Sequence, residues 1–143
     1  MSEKHKKHPC IQELVQTFIS RQWKVYTSDT VARYRNVLNE WQSFLEGWAW
    51  EGLEKYKPEA QEYAKNSRYK TYCTIFSADM VVYSVWYFLG TDIEVDYGVS
   101  GAKYAAMVLG KLAAWLRDED YISDEDHDSI RREIKDFRAR LNN

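Results

Sequence analysis

Apolar side chains recur at intervals of three and four residues along most of this chain. In the segment TSDTVARYRNVLNEWQSFLEGW, the residues on this spacing are Val31, Tyr34, Leu38, Trp41, Leu45 and Trp48. Such intervals place side chains on one face of an α-helix. The feature that most limits the fold is therefore a series of helices that each bury one face.

Few residues are available for the tight turns that join strands. The 143 residues include two Pro and six Gly, and these residue types dominate turns. Helical spacing continues from Ile11 to Ile19, from Ala105 to Leu116 and from Ile130 to Leu141. The stretch from Met80 to Leu89 is nearly apolar on every side, which predicts a central helix. The pattern predicts an all-α bundle of five or six helices.

The length of the chain favours one domain. We predict that residues 1–8 are a disordered charged tail and that residues 9–143 form a single helical domain. Within it, Pro58 to Asn66 is helix-prone and predicts a short surface helix. The stretch TDIEVDYG at 91–98 alternates polar and apolar residues, and we predict an irregular linker there.

Two helix starts carry capping signals. Thr27 or Ser28 precedes an acid, Asp29, that suits the positive end of a helix dipole. Ser123 stands three residues before Asp126, which resembles a capping box with the shorter acid. Each signal predicts the N-cap of a long helix.

No apolar run approaches the ~20 residues that a membrane-spanning helix needs. The N-terminus also lacks the apolar segment of a signal peptide. Cys10 and Cys73 are far apart in sequence and form no CxxC pair, so two reduced thiols are the simpler interpretation than a disulfide. These features predict a cytoplasmic protein with no membrane partner.

The stretch HKKHPC brings together three residues that can ligate zinc, His5, His8 and Cys10. Structural zinc sites need four ligands, usually from two spaced pairs, and the chain offers no second pair. His127, the one histidine outside the tail, lies among acids and is predicted on a surface turn. Nucleophilic catalysis needs a nucleophile, a base and an orienting group. We therefore expect no metal ion, no cofactor and no enzymatic activity.

The formal net charge is −2, but the charge is unevenly distributed. Residues 1–35 carry seven Lys or Arg against three acids, the stretch from Arg117 to Asp128 carries seven acids against one Arg, and the stretch from Arg131 to Arg140 is basic again. A basic balance over the whole domain, typical of nucleic-acid binders, is missing. A local basic surface remains compatible with the sequence.

One stretch interleaves cations with aromatic rings. In YAKNSRYKTY these residues are Lys65, Arg68 and Lys70 with Tyr63, Tyr69 and Tyr72. Cations that meet phosphates and rings that stack on bases suit nucleic acid. The alternative is a loop whose tyrosines pack inward while its charges stay in water.

The stretch SDTVARYRNVLNEWQSFLEGW resembles the second helix of the core-binding domain of tyrosine recombinases (phage integrases). In that family Ser-x-Asn-Thr-x-x-x-Tyr-Arg-x-Asp-Leu is a common phrasing. This chain reads Ser28-Asp29-Thr30, then Tyr34-Arg35, then Val37-Leu38, with Asp29 in place of the Asn and Val37 in place of the second acid. The stretches VQTFISRQ, FSADMVVYSVWYFLG and AAMVLGKLAAWLRDEDYIS resemble the first, third and fourth helices of that domain. The whole layout is also similar to small uncharacterised prokaryotic proteins built from this domain alone, in which the last helix follows Ile-Ser-x-Glu-Asp.

The resemblance implies a SAM-like, integrase core-binding-like bundle that grips DNA through its second and fourth helices. It assigns DNA contact to Arg33 and Arg35, with Lys103 and Lys111 from the later helix. The family's catalytic domain is absent after the last helix, so we expect no recombination by this chain. The full set of candidate nucleic-acid-binding residues is Arg21, Lys24, Arg33, Arg35, Lys65, Arg68, Lys70, Lys103 and Lys111.

The alternative function is a protein-interaction or dimerisation module with no nucleic-acid role. Six Trp and eleven Tyr give the chain a surplus of large rings, which interfaces favour. Trp23, Trp48 and Trp50 are the candidates for an exposed apolar patch. The two functions therefore imply different partners, DNA for the first and the same chain or another protein for the second.

Overall fold

The computed structural model of the chain describes residues 9–49 and 71–142. The α-helices in these residues are α1 (Ile11–Gln22), α2 (Ser28–Phe44), α3 (Tyr72–Ile75), α4 (Val81–Gly90), α5 (Ile93–Asp118) and α6 (Asp124–Leu141). A π-helical turn at Leu45–Ala49 extends α2, and a 3₁₀ turn at Ala78–Met80 leads into α4. The described residues contain no β-strand, so the prediction of an all-α bundle is confirmed.

Both capping predictions agree with the structure. Thr27 is the N-cap of α2, and its side chain accepts a hydrogen bond from the backbone N–H of Thr30. The Ser123 hydroxyl accepts from the N–H of Asp126 at 3.0 Å and begins α6. These bonds satisfy donors that the first turn of a helix leaves unpaired. The predicted tail at 1–8 and the predicted helix at 58–66 lie outside the described residues.

Helix α4 lies against the π-helical turn, α5 and α6, while α2 packs on α1 and α5. The core includes Trp41, Phe88 and Phe137, each at most 1% exposed. The expectation that α4 is buried on every side is wrong at Trp86, whose side chain is 49% exposed. The neighbouring elements cover most of the surface of α4, and the Trp86 indole projects from the part that they leave uncovered.

A buried set of hydrogen bonds joins α2, α3 and α4. The indole Nε1 of Trp41 donates to the carbonyl of Ser84 at 3.4 Å, and the hydroxyls of Tyr72 and Ser84 are 2.8 Å apart. The carboxylate of Glu46 accepts from the N–H groups of Tyr72 and Cys73 at the start of α3. Tyr72 is fully buried, so its ring packs inward and is not available to stack on bases.

The prediction of an irregular linker at 91–98 is wrong, because α5 already begins at Ile93. The buried side chain of Ile93 and the ring contact of Tyr97 with Phe88, at 6.5 Å between centroids, hold this first turn on the bundle. The helix is interrupted at Gly98, where φ is 74° and ψ is 165°. Tertiary contacts therefore form a helical turn that the alternating sequence did not indicate.

Replacement of Gly98 by Ala is expected to lower the free energy of unfolding by about 1–3 kcal/mol, the cost of holding a residue with a Cβ in this region of φ and ψ. No atom lies within 4 Å of the added Cβ, so the loss comes from the backbone alone. Gly90→Ala is the matched control, because its Cβ is equally unobstructed and its φ is not positive. Urea denaturation measures both, and equal stabilities would contradict the assignment of strain to Gly98.

Candidate nucleic-acid interface

Helices α5 and α6 run antiparallel and enclose a groove of about 870 Å³. At one end the guanidinium of Arg138 donates to the backbone carbonyl of Lys103, and at the other that of Arg117 reaches His127. The floor is formed by small and apolar residues; a Cβ added at Gly110 would lie 3.4 Å from the side chain of Ile134. We call this feature the α5–α6 groove.

The charged side chains of the α5–α6 groove are nearly all positive. The cations that line it are Arg117, Arg131, Arg132, Lys135 and Arg138, and its single acid is Asp128. The four groove cations on α6 are exposed to solvent, whereas Arg117 is half-buried and pairs with Asp118 at 3.3 Å. Because the chain as a whole is acidic, this groove is a local concentration of positive charge.

Lys103 extends this charge beyond the end of the groove. Its ammonium donates to the side-chain oxygen of Asn142, next to the last turn of α6. Lys111 follows Lys103 by eight residues, which at 3.6 residues per turn rotates its side chain by about 80° around α5. Lys103 therefore faces α6, while Lys111 faces the side of α5 that contacts α2.

His127 is buried in the first turn of α6, which corrects the prediction of a surface position. Arg117 donates to its Nδ1 at 3.1 Å, and because a guanidinium only donates, this nitrogen accepts and the ring is neutral. Burial lowers the pKa of His127, and the charges of Arg117 and Arg131 lower it further against the opposing Asp128 and Asp118. The imidazole thus fixes the end of the groove without adding charge.

His127 is expected to make the protein less stable in mild acid. Its folded-state pKa lies below the ordinary value of 6.5, so as the pH falls the unfolded chain takes up this proton first. The stabilisation that neutral His127 contributes is complete above pH 6.5. It is lost as the pH falls from 6.5 through the folded-state pKa of His127. Urea denaturation at pH 7.5 and pH 5.5 should show a larger loss for the wild type than for His127→Gln. Parallel losses would contradict the prediction.

Three of the cations assigned by the resemblance lie against aromatic rings. The Cζ of Arg33 is 4.2 Å from the ring centroid of Tyr104, and that of Arg35 is 5.8 Å from Trp23. Lys111 lies over Tyr26 at 5.6 Å and donates to its hydroxyl. The Arg33 pair joins α2 to α5, the Arg35 pair joins α2 to the end of α1, and the Lys111 pair joins α5 to the turn before α2.

The other predicted cations are divided between exposed and undescribed parts of the chain. Arg21 lies in the last turn of α1 and Lys24 in the turn that follows, both exposed. Lys65, Arg68 and Lys70 lie outside the described residues, as does Trp50. The described residues therefore place the predicted cations on more than one side of α5.

Two of the three candidate interface tryptophans are exposed. Trp23 is 48% and Trp48 is 55% exposed. Trp23 is followed by Val25 and Tyr26, which are exposed as well. Trp48 precedes Ala49, whose carbonyl accepts from the Tyr83 hydroxyl, so it lies at the contact of the π-helical turn with α4. The indoles thus belong to two separate elements of the described structure.

The groove cations on α5 and α6 were missed as a group in the sequence. A signal was present, because Lys103, Met107, Gly110, Ala114 and Arg117 repeat at intervals of three and four. Arg131, Lys135 and Arg138 show the same intervals on α6. The sequence does not show that these two faces meet, since that depends on how α5 and α6 pack.

Within residues 9–49 and 71–142, no helix is long and apolar enough to cross a membrane. No group of three or more His, Cys, Asp or Glu in the same ranges is placed to hold a metal ion. Cys10 and Cys73 are both free, and burial raises the pKa of each thiol.

Comparisons of the chain with protein-family models, with curated proteins and with solved structures found no match.

Proposed function

We propose that this chain is a non-catalytic DNA-binding module that holds phosphates in the α5–α6 groove. The observation that carries the proposal is the charge of that groove, five cations against one acid, in a chain of net charge −2. Phosphate contacts supply most of the affinity of non-specific DNA binding. A concentration of exposed guanidinium and ammonium groups on an otherwise acidic protein favours a polyanion as its partner.

The dimensions of the groove suit a run of phosphates. Lys103 and Arg117 are fourteen residues apart on α5, which corresponds to about 21 Å along a helix. One strand of duplex DNA carries a phosphate about every 3.4 Å along the axis, so about six phosphates match this length. The four exposed groove cations on α6, together with Lys103, then allow about five direct contacts.

The SAM-like, integrase core-binding-like form of the proposal adds a second contact area. Arg33 and Arg35 on α2 and Lys111 on α5 are each held against an aromatic ring. In this form α5 is the shared element, since it contributes Lys103 toward α6 and Lys111 toward α2. Duplex DNA lying along α5 meets both groups of cations.

Fluorescence anisotropy of a labelled duplex with the purified chain, across a salt titration, tests the proposal. Five phosphate contacts predict that log K falls with log salt at a slope of about −4.5. Micromolar binding that weakens in this way supports a phosphate-binding groove. Absence of binding at ~50 mM salt up to tens of micromolar would contradict the proposal, because non-specific affinity alone is measurable there.

A protein-interaction or dimerisation module is the second candidate, favoured by the exposure of Trp23 and Trp48. Tryptophan is enriched among residues that dominate the energy of protein interfaces. Sedimentation velocity distinguishes a monomer of 17.0 kDa from a dimer. Self-association that weakens in Trp48→Ser, with DNA binding absent, would favour this function over the first.

A further inference from the structure

A second cavity lies between α2 and α5, and Tyr104 forms part of its lining. Its volume is about 290 Å³, at the lower end of the range for small-molecule sites. The lining of this α2–α5 cavity includes Arg33, Asn36, Glu40, Phe88, Tyr97 and Tyr104. The volume suits one small planar group with its substituents.

Aromatic rings form the walls of the α2–α5 cavity. Tyr97 and Tyr104 both line it from α5, and Phe88 lies behind Tyr97 with 6.5 Å between ring centroids. Phe88 is 1% exposed, whereas Tyr97 is 37% exposed. A buried ring therefore supports an accessible one, as in sites where a planar group stacks on an aromatic side chain.

Hydrogen-bonding groups converge on the same cavity from α2. Asn36 and Glu40 are four residues apart, which places them on one face of the helix. Burial, and then the hydrogen bond and charge of Glu40, raise the pKa of Tyr97 to about 12. The Tyr97 hydroxyl therefore stays protonated beside the Glu40 carboxylate. A carboxylate has about four acceptor positions, which leaves Glu40 able to accept from a ligand.

A cation lies at the other end of the cavity. Arg33 precedes Glu40 by seven residues, or about 10 Å along α2, and its guanidinium is held over Tyr104. The cavity thus has an acceptor at one end, a donor for anions at the other and rings between them. A ligand that complements it carries an amino group, a planar ring and an anion in that order.

We propose that the α2–α5 cavity binds one nucleotide of cytosine, the pyrimidine base that carries an exocyclic amino group. The exocyclic amino group donates to Glu40 beside Asn36, the base lies against Tyr97 and Tyr104, and the phosphate meets Arg33. If the nucleotide is an unpaired nucleotide within a DNA strand, this assignment rests on the proposed nucleic-acid binding. A free mononucleotide presents the same chemistry, and the two sources are separated by the experiment.

Isothermal titration calorimetry of the full chain with cytidine and uridine monophosphate tests the proposal. The two bases have similar size, but only cytosine has the amino group. Cytidine monophosphate should bind at least tenfold more tightly than uridine monophosphate, and cytidine without phosphate should bind about tenfold more weakly. Glu40→Gln should abolish the preference for cytosine, because an amide both donates and accepts.

Two pairs of variants control for folding. Asn36→Ala should weaken binding of cytidine monophosphate several-fold, whereas Asn39→Ala, on the same helix and outside the cavity lining, should leave it unchanged. Ser100→Phe fills the cavity from α5 and should abolish binding, while Ser43→Phe on exposed α2 surface should not. Melting temperatures of all four variants establish that they remain folded.

The outcomes separate the two sources and the two proposals. Binding of the mononucleotide without any binding of duplex DNA supports the cavity and contradicts the proposed function. A preference for oligo(dC) over oligo(dT) that Glu40→Gln removes supports the cavity with a strand as its source. If neither ligand shows a cytosine preference, or if the preference persists in Glu40→Gln, the assignment of a nucleotide to this cavity is overturned.

Discussion

Replacement of Arg131, Lys135 and Arg138 by Gln is expected to weaken duplex DNA binding by about two orders of magnitude at 0.15 M salt. Each phosphate contact contributes about 0.9 to the slope of log K against log salt, so the slope should become about 2.7 shallower. All three side chains line the α5–α6 groove, and all are exposed. Their loss therefore removes charge without removing buried packing.

The matched control removes the same charge from elsewhere. Arg21 and Lys24 near the end of α1 and Arg140 in the last turn of α6 are also exposed, and none of them lines the groove. Their replacement by Gln should change the slope of log K against log salt by less than the groove variant does. Binding should weaken several-fold at most. Anisotropy at matched salt, with circular dichroism to check folding, compares the two proteins. Equal losses would show that net charge, and not the groove, governs binding.

Replacement of Trp41 by Ala is expected to lower the free energy of unfolding by about 3–5 kcal/mol, the usual cost of deleting a large buried ring. Trp41 is fully buried, and its indole donates to the carbonyl of Ser84 on α4. This loss is a large part of the ~5–15 kcal/mol that stabilises a typical domain. Chemical denaturation followed by far-ultraviolet circular dichroism measures the change.

Trp86 provides the comparison on the same bundle. It is 49% exposed, and its ring is 6.0 Å from that of Tyr83. Trp86→Ala should cost about 1 kcal/mol or less, since little apolar surface is taken from the core. If both alanine variants lost similar stability, Trp41 would not be the ring on which α2 and α4 pack.

Helix positions follow from the sequence where one face of the helix is buried over several turns. Val31, Tyr34, Leu38, Trp41 and Leu45 are buried as their spacing predicts, whereas Trp48, on the same spacing but in the π-helical turn, is 55% exposed. The first turn of α5 could not be predicted from the sequence. Gly98 interrupts the helical spacing of apolar residues there, and Tyr97 is held by the ring of Phe88 on another helix. The spacing of apolar residues predicts which face of one helix is buried. It does not predict contacts between rings on different helices.

The candidate site was accessible from the sequence only in part. The basic character of the stretch from Arg131 to Arg140 is visible in the printed sequence. The groove itself requires that α6 lie antiparallel on α5, so that Arg117 and His127 meet at one end. His127 is neutral and buried because of that packing, although its neighbours in sequence are acids. Helix packing, and not residue order, assembles this surface.

The central claim is that DNA phosphates lie in the α5–α6 groove, and amide chemical-shift mapping tests it most directly. The chain is 17.0 kDa, a size at which backbone amides of a labelled protein are individually observed during titration with a short duplex. The account predicts that the largest shifts fall on Met107, Gly110, Arg131, Lys135 and Arg138. Shifts confined to the turn around Trp23 and to the turn that holds Trp48 would contradict it and favour the tryptophan surfaces.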